Sequence, residues 1–238
     1  MSRKNVAIVL AAGRGTRMNS AVQKQYLLVN GYPVLYYSLN AFQRSQWIDE
    51  IILVTGKEEM DFCKKEIVER YQLTKVKHII PGGKERYHSV YNGLKQITEE
   101  GYVFIHDGAR PCIDEELLQR AMQEAEKYRA CVVGMPVKDT IKISDADGFA
   151  THTPPRSLVW QVQTPQVFET GLVKSCYEKL MREMETTADV SVTDDAMVVE
   201  RESDVKVKLV EGSYSNIKIT TPEDLRLAEV FLEKKSKK

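Results

Sequence analysis

The sequence predicts an α/β fold with a doubly wound, mostly parallel, Rossmann-like sheet. Two observations lead to this prediction. Short apolar runs alternate with stretches of helical spacing, and the connections between them are short. The first run, NVAIVLAAG, is almost continuously apolar and ends in glycine, as is typical of a parallel strand that is covered on both faces.

The other elements follow in the same alternation through the first half of the chain. After the first strand we predict a helix at PVLYYSLNAFQRS, a strand at DEIILVTG, a helix at KEEMDFCKKEIVERYQL, a strand at KVKHIIPGG, a helix at KERYHSVYNGLKQITEE, a strand at GYVFIHDGARP, a helix at DEELLQRAMQEAEKYR and a strand at ACVVGMPV.

The alternation breaks in the segment KDTIKISDADGFATHTPPRSLVWQVQTPQVF. Within it, TIKIS and FATHT alternate in polarity around DADG, which is a strong hairpin signal. We therefore predict an antiparallel β-hairpin arm, inserted into the domain at about residues 138–158. A two-stranded ribbon of this kind is marginally stable by itself.

The C-terminal part returns to helices and strands. We predict a helix at GLVKSCYEKLMREM, a second one around VTDDAMVVE, strands at VKVKLV and SNIKIT, and a closing helix that opens at TPEDL. In the closing helix Thr221 is the predicted N-cap, Pro222 lies in the first turn and Asp224 follows three residues after the cap. No repeat or linker interrupts the pattern, so residues 1–238 are expected to form a single domain with one arm.

Composition argues against several classes of function. Lys plus Arg and Asp plus Glu number 34 each, so no global field would attract nucleic acid or an anionic membrane. No run approaches the roughly 20 apolar residues of a membrane span, and the N-terminal run ends in Gly-Arg-Gly rather than at a signal-peptide cleavage site. The scattered cysteines and histidines lack the spacing of a zinc site or a disulfide framework, which favours a reducing cytoplasm.

The loop LAAGRGTRM has the glycine spacing of a phosphate-binding turn but matches neither common fingerprint. Met18 occupies the place of the third Rossmann glycine, and Gly15 is followed by Thr-Arg rather than by the Lys-Ser/Thr of a Walker loop. Arg17 and Lys24 nevertheless supply donors and charge that suit phosphate oxygens. On the glycines alone, a plain tight turn with solvated arginines is the alternative.

Several segments together resemble the 2-C-methyl-D-erythritol 4-phosphate cytidylyltransferases of the non-mevalonate isoprenoid pathway. They occur in order over nearly the full chain: AAGRGTRM, KQY, PGGKERYHSV, HDGARPC, VKDTIK, QTPQVF, TDDA and NIKITTPEDL. The family often has Pro-Lys-Gln where this chain has Gln23-Lys24-Gln25, but the lysine is kept.

This resemblance implies a nucleotidyltransferase that joins 2-C-methyl-D-erythritol 4-phosphate to the α-phosphate of CTP and releases pyrophosphate. A phosphomonoester has its second pKa near ~6, so the attacking oxygen is already anionic and needs no general base. Catalysis then depends on positioning and on electrostatic stabilisation. The implied cofactor is Mg²⁺, held mainly by the triphosphate, with Asp107 as a weak protein ligand.

The resemblance also assigns roles to individual residues. The implied catalytic residues are Arg17, Lys24, Lys218 and Arg156. Those implied to contact CTP are Ala11, Ala12, Gly13, Gly15, Gly83 and Ser89, and those implied to contact the acceptor are Asp107, Arg110, Thr140, Arg156, Thr164 and Thr193. The arm is expected to embrace a second subunit, forming a homodimer in which arm residues complete the neighbouring site.

Simpler interpretations exist for several of these residues. Without the family, Lys218 reads as an edge-strand lysine, Ser89 as a helix-surface serine and Arg156 as a solvated loop charge. Two other functions also remain open: a ribitol-5-phosphate cytidylyltransferase, and a non-catalytic nucleotide-binding regulator. The segments HDGARPC and NIKIT favour the methylerythritol enzyme, and the intact basic residues argue against a silent regulator.

Overall fold

Residues 3–13, 23–186 and 191–236 are described by the computed structural model of the chain. The strands, in chain order, are β1 (Lys4–Ala11), β2 (Leu28–Val29), β3 (Tyr32–Pro33), β4 (Glu50–Thr55), β5 (Val76–Pro81), β6 (Gly101–Asp107), β7 (Ala130–Pro136), β8 (Ile143–Ser144), β9 (Ala150–His152), β10 (Trp160–Glu169) and β11 (Lys208–Glu211). The α-helices are α1 (Val34–Arg44), α2 (Met60–Phe62), α3 (Arg86–Leu94), α4 (Glu115–Tyr128), α5 (Thr170–Thr186), α6 (Asp195–Glu202) and α7 (Pro222–Ser236).

Within the described residues, seven strands form one sheet in the order β11-β7-β10-β6-β1-β4-β5. β1 pairs in parallel with β6 and β4, β4 pairs in parallel with β5, and β7 pairs in parallel with β11. Only β10 runs antiparallel among these seven, and it lies between β6 and β7. The predicted doubly wound, mostly parallel sheet is therefore confirmed.

Helices cover both faces of the sheet. α1, α4 and the turns at 57–69 pack on one face, where Phe42, Phe104 and Leu118 are fully buried. α3, α5 and α6 pack on the other face around Ile8 and Tyr177. This double coverage explains the continuous apolar run of β1, because a strand between two helical layers has no solvent face.

A third, smaller cluster brings the C-terminal helix onto the N-terminal half. Ala228 and Leu232 of α7 pack with Val29, Val34 and Ile219. As the sequence predicts, Asp224 binds back to the start of this helix, because its Oδ2 accepts from the Thr221 backbone N–H at 2.9 Å. The packing places the segment that precedes α7 beside the sheet.

Strand β10 is the largest element that the sequence prediction missed. Its sequence WQVQTPQVFE contains glutamines and a proline, which argue against a central strand. The structure satisfies these polar groups locally: Gln166 donates to Asp194 Oδ2 at 2.9 Å and accepts from the Ala196 N–H at 2.8 Å. The pairing with β7 also shifts register between Val162 and Gln166. Burial of amide side chains therefore hides the strand from a hydrophobicity pattern.

The predicted strand at SNIKIT is wrong, since residues 215–220 form no strand. Asn216 is fully buried, and its Nδ2 donates to the Thr164 carbonyl oxygen at 2.9 Å. The Ile219 N–H donates to the Ala109 carbonyl oxygen at 2.9 Å. Scattered side-chain and backbone bonds thus replace a strand ladder.

Other boundaries differ from the prediction at element ends. β11 begins at Lys208, so only the second half of VKVKLV is strand. The predicted helix at residues 57–73 consists of a 3₁₀ turn at Lys57–Glu59, the short α2, and a π-helical stretch at Cys63–Glu69. α3 ends at Leu94, earlier than the apolar spacing indicates.

The predicted hairpin is present as β8 and β9, which pair antiparallel. Asp145 closes its turn by accepting from the Phe149 N–H at 2.9 Å, and Gly148 has a positive φ of 87° that suits glycine. The arm leaves β7 and returns to β10 at one place, where the Val137 N–H donates to the Val159 carbonyl oxygen at 3.1 Å.

Two large apolar side chains at the arm are strongly exposed in the single chain, with Phe149 at 73% and Leu158 at 76% of full exposure. Phe149 lies at the turn of the hairpin and Leu158 ends the 3₁₀ turn at Arg156–Leu158. Elsewhere, none of the described helices combines the length and apolar character that a membrane crossing requires.

Candidate active site

A cavity of about 690 Å³ opens at the carboxyl-terminal ends of β1 and β6. In open α/β sheets this edge is where ligands bind. The cavity wall includes these residues with predicted roles: Ala11, Ala12, Gly13, Lys24, Gly83, Ser89, Asp107 and Lys218. The structure thus brings together residues that the sequence places far apart. Gly15 and Arg17, two further predicted site residues, lie outside the described residues.

The start of the glycine loop is held by a buried glutamine. Gln25 is 2% exposed, and its Nε2 donates to the carbonyl oxygens of Ala11 and Gly13 at 2.6 and 3.2 Å. These contacts fix the backbone where β1 ends and Lys24, next to Gln25, enters the cavity wall. No role for Gln25 was predicted from the sequence, although it lies in the segment KQY, because two of its partners are backbone oxygens of a loop 12 to 14 residues away.

The two glycines after β5 let the chain pass close to both the loop and α3. A Cβ on Gly82 would lie 2.5 Å from the Ala12 Cβ, and one on Gly83 would lie 2.3 Å from the His88 Cβ. Both distances are too short for real carbon atoms. Only glycine therefore fits here without a shift of the neighbouring backbone.

Ser89 closes this turn from α3. It is 5% exposed, its Oγ accepts from the Gly83 N–H at 3.0 Å, and its hydroxyl donates to the Glu85 carbonyl oxygen at 3.3 Å. The Glu85 side chain also forms a capping box with His88 at the start of the helix. The alternative that Ser89 is a helix-surface serine is therefore wrong.

Asp107 is the charged centre of the cavity. Its Oδ2 accepts from Lys218 Nζ at 2.7 Å, and its Oδ1 accepts from Arg86 Nε at 3.3 Å. Burial alone would raise the pKa of this carboxyl, but Arg86 and Lys218 outweigh burial and hold it well below its usual value. Asp107 is therefore ionised, and two cations compensate its charge.

Arg86 connects Asp107 to helix α6. Its Nη1 and Nη2 donate to both carboxylate oxygens of Asp195, at 2.8 and 2.7 Å, and Tyr177 adds a hydroxyl bond to the same carboxylate at 2.6 Å. Burial alone would lower the pKa of Arg86, but the two carboxylates raise it. No role for Arg86, Asp195 or Tyr177 was predicted from the sequence, although the first two lie inside PGGKERYHSV and TDDA.

Thr164 and His106 support the backbone of Asp107 from behind. The Asp107 N–H donates to Thr164 Oγ1 at 3.1 Å, and Thr164 Oγ1 lies 2.9 Å from His106 Nδ1. His106 Nε2 lies 3.2 Å from the Arg110 carbonyl oxygen, which only accepts. In the neutral ring Nε2 therefore carries the proton and Nδ1 accepts from Thr164. Burial lowers the pKa of His106 to about 4, so this tautomer is kept at neutral pH.

The remaining residues with predicted acceptor roles do not line the cavity in the single chain. Arg110 donates from Nη1 to the Asn216 carbonyl oxygen at 2.9 Å, and burial lowers its pKa. Thr193 is exposed and its hydroxyl lies 3.7 Å from Met197 Sδ. Thr140 and Arg156 are exposed at the base of the arm, where Arg156 Nη1 donates to the Lys138 carbonyl oxygen at 3.1 Å.

Comparisons with known proteins agree with one another. A family model described as 2-C-methyl-D-erythritol 4-phosphate cytidylyltransferase matches residues 5–234. A relative of that name from Lachnospira eligens is 52% identical over 96% of this chain and 99% of its own, and one from Caldanaerobacter subterraneus subsp. tengcongensis is 48% identical over 96% and 98%. A crystal structure of 4-diphosphocytidyl-2C-methyl-D-erythritol synthase from Anaerococcus prevotii superposes with a TM-score of 0.84 at 38% identity, covering 97% of this chain and 96% of that one.

Proposed function

Because this chain belongs to the 2-C-methyl-D-erythritol 4-phosphate cytidylyltransferase family, we propose that the cavity around Asp107 is its active site. The enzyme transfers a cytidylyl group from CTP to 2-C-methyl-D-erythritol 4-phosphate, giving 4-diphosphocytidyl-2-C-methyl-D-erythritol and pyrophosphate. One observation carries the site assignment: four separate parts of the chain line one cavity. They are the loop after β1, the Gly82–Gly83 turn, the carboxyl end of β6, and Lys218.

The nucleotide half of the proposed site consists mostly of backbone. Ala11, Ala12 and Gly13 present main-chain groups beside Gly83 and Ser89. Such groups can pair with the edge of a pyrimidine and with phosphate oxygens. A site whose polar groups pair with cytosine leaves some of them unpaired with uracil, which favours CTP over UTP.

The charged half stabilises the reacting phosphates. The acceptor phosphate is already an anion, so the barrier comes from bringing two polyanions together and from charge that develops at the α-phosphorus. Lys24 and Lys218 line the cavity and supply the positive charge, together with Arg17 of the same loop in our proposal. Lys218 is partly exposed, so its ammonium can reach a bound phosphate while Arg86 still holds Asp107.

CTP-using nucleotidyltransferases of this family generally require a divalent cation, and we propose Mg²⁺. The described side chains do not build a metal site: none of their His, Cys, Asp and Glu groups cluster in threes. Both oxygens of Asp107 already accept from cations. A cation carried by the triphosphate, with Asp107 contributing at most one oxygen, fits these residues better than a protein-built centre.

The acceptor half is proposed to be completed by a second subunit. The exposed arm places Thr140 and Arg156 away from the cavity of its own chain, and its apolar side chains lack cover. In a homodimer these residues would reach the neighbouring cavity, where Thr164 and Arg110 already bond to the backbone of Asp107. Thr193 is proposed as an acceptor contact on the family resemblance alone. A cytoplasmic location is also part of the proposal, since the four cysteines of the chain are buried thiols.

Pyrophosphate release from CTP tests the function directly. Methylerythritol phosphate and ribitol 5-phosphate are offered in parallel, with UTP and GTP as alternative nucleotides. We expect rapid release only with CTP and methylerythritol phosphate. Preference for ribitol 5-phosphate would move the chain to the pentitol-phosphate enzymes, and comparable rates with UTP would contradict the proposed cytosine readout.

A further inference from the structure

Arg86 lines the cavity and contacts two carboxylates that lie on different elements of the fold. It is the first residue of α3, directly after the turn that carries Gly83. From there its guanidinium reaches Asp107 at the end of β6 and Asp195 at the start of α6. Three secondary-structure elements therefore meet on one planar group.

The geometry uses the guanidinium fork fully. Nη1 and Nη2 bind the two oxygens of Asp195 in a bidentate pair, while Nε faces Oδ1 of Asp107. A lysine ammonium is a single point and cannot satisfy both carboxylates with this geometry. The buried Tyr177 of α5 also donates its hydroxyl to Asp195 Oδ1.

The two carboxylates that Arg86 binds lie in or next to residues with predicted acceptor roles. Asp107 is a predicted acceptor contact, and Thr193 lies two residues before Asp195, at the entrance to α6. The nucleotide side has bonds that do not pass through the Arg86 side chain, since the Gly83 N–H donates to Ser89 Oγ and Gln25 Nε2 donates to the Ala11 carbonyl oxygen. Loosening Arg86 should therefore disturb the acceptor more than the nucleotide.

We propose that Arg86 is a positioning residue that sets Asp107 and the Thr193 segment in register for the acceptor phosphate alcohol. The inference rests on the proposed function of the site. It assigns no bond between Arg86 and the substrate. Arg86 acts through the two carboxylates, and its charge also prevents them from repelling the polyanionic ligands.

The charge-preserving variant Arg86→Lys separates geometry from charge. We expect kcat/KM for methylerythritol phosphate to fall about 30-fold, because the bidentate and bridging bonds are lost. The CTP dissociation constant, measured by titration calorimetry without acceptor, should change by less than about 3-fold, because the positive charge remains. Tyr177→Phe removes only the bond to Asp195 and should lower the same kcat/KM about 5-fold.

Arg201→Lys is the matched control, because Arg201 is an ion-paired arginine on α6 that does not line the cavity. It should leave both constants unchanged.

Equal losses of CTP affinity and acceptor kcat/KM in Arg86→Lys would indicate a merely structural role and overturn the inference, as would unchanged kinetics in both test variants. If Arg86→Lys does not fold, Tyr177→Phe decides alone. An inactive parent chain would defeat the proposed function, whereas an active parent with unaffected variants defeats only the role of Arg86.

Discussion

At the scale of single residues, the ammonium of Lys24 should matter most where the reaction builds negative charge. Lys24 lines the cavity beside the glycine loop and is partly exposed. We expect Lys24→Ala to raise the barrier by about 3 kcal/mol, roughly 150-fold in kcat, without loss of folding. Steady-state turnover and thermal melting measure the two effects. Lys64→Ala, an exposed lysine away from the cavity, is the control, and a Lys24→Ala enzyme with near-parent turnover would refute the assignment.

His106 gives a second residue-scale prediction, concerning stability against pH. Its folded pKa is about 4, below the ordinary value, so in the interval between the two the unfolded chain binds the extra proton. The contribution of neutral His106 to the free energy of unfolding is therefore fully present above about pH 6.5. We expect the free energy of unfolding to fall by about 3 kcal/mol as the pH drops from there towards 4. Urea denaturation at several pH values measures this slope.

His106→Asn removes the titrating ring and should flatten the slope in that interval, even if it lowers stability at pH 7. His78→Asn, at an exposed position on β5 outside the arm, is the matched control and should keep the parent slope. An unchanged slope in His106→Asn would mean that other groups cause the acid sensitivity.

Which site residues the sequence could reveal depends on where their partners lie. Asp107 and Gly83 have roles that only the family resemblance implies, although both lie at the carboxyl ends of parallel strands, where the sheet edge binds ligands. Lys218 was found only through the family motif, since the strand predicted for it does not form. Arg86 was missed because its partner Asp195 lies 109 residues away. A lone arginine at a helix start gives no signal of such a pairing.

At the scale of elements, the turn between β5 and α3 leaves no room for a side chain at Gly82 or Gly83. Gly83→Ala would push its new Cβ into His88, so the first turn of α3 must move. Overpacking of this kind typically costs about 1–3 kcal/mol, and we expect CTP affinity to fall about 10-fold. Titration calorimetry with CTP measures this effect.

Gly171→Ala is the matched glycine substitution for this test. A Cβ there meets only the Glu100 carboxylate, at an ordinary 3.6 Å, so CTP affinity should not change. Parent-like CTP binding by Gly83→Ala would show that this turn does not shape the nucleotide site.

The strands show the same limit of sequence reasoning at the element scale. Parallel strands such as β1 and β6 were predicted well, because double coverage makes them apolar throughout. β10 was missed because Gln163 and Gln166 are buried with satisfied amides, which an apolar pattern cannot register. Conversely, the alternating SNIKIT imitates a strand although tertiary bonds from Asn216 and Arg110 hold it in another form.

At the scale of the whole molecule, the separation of the arm from its own cavity predicts sharing between subunits. We expect Arg156→Ala to raise KM for methylerythritol phosphate and leave CTP binding nearly unchanged. Mixing Arg156→Ala chains with Lys24→Ala chains then gives the decisive result. If the two residues serve one site from different chains, each heterodimer regains one intact site. Subunit exchange in the mixture must first be verified. Mixed dimers that then recover no activity would contradict a shared site.

The reversed direction of β10 has a consequence for how this fold can change over evolutionary time. Because the chain leaves β7 and re-enters β10 at one point, residues 138–158 form a cassette whose ends already touch. Doubling the length of such a loop costs only about 0.6 kcal/mol of closure entropy. Insertions, deletions or wholesale replacement of the cassette would leave the register of the sheet and the nucleotide-binding loop untouched. If the arm serves the neighbouring site as proposed, lineages could diversify acceptor choice and subunit pairing together, by exchanging one contiguous stretch of sequence, while inheriting an unaltered machinery for handling CTP.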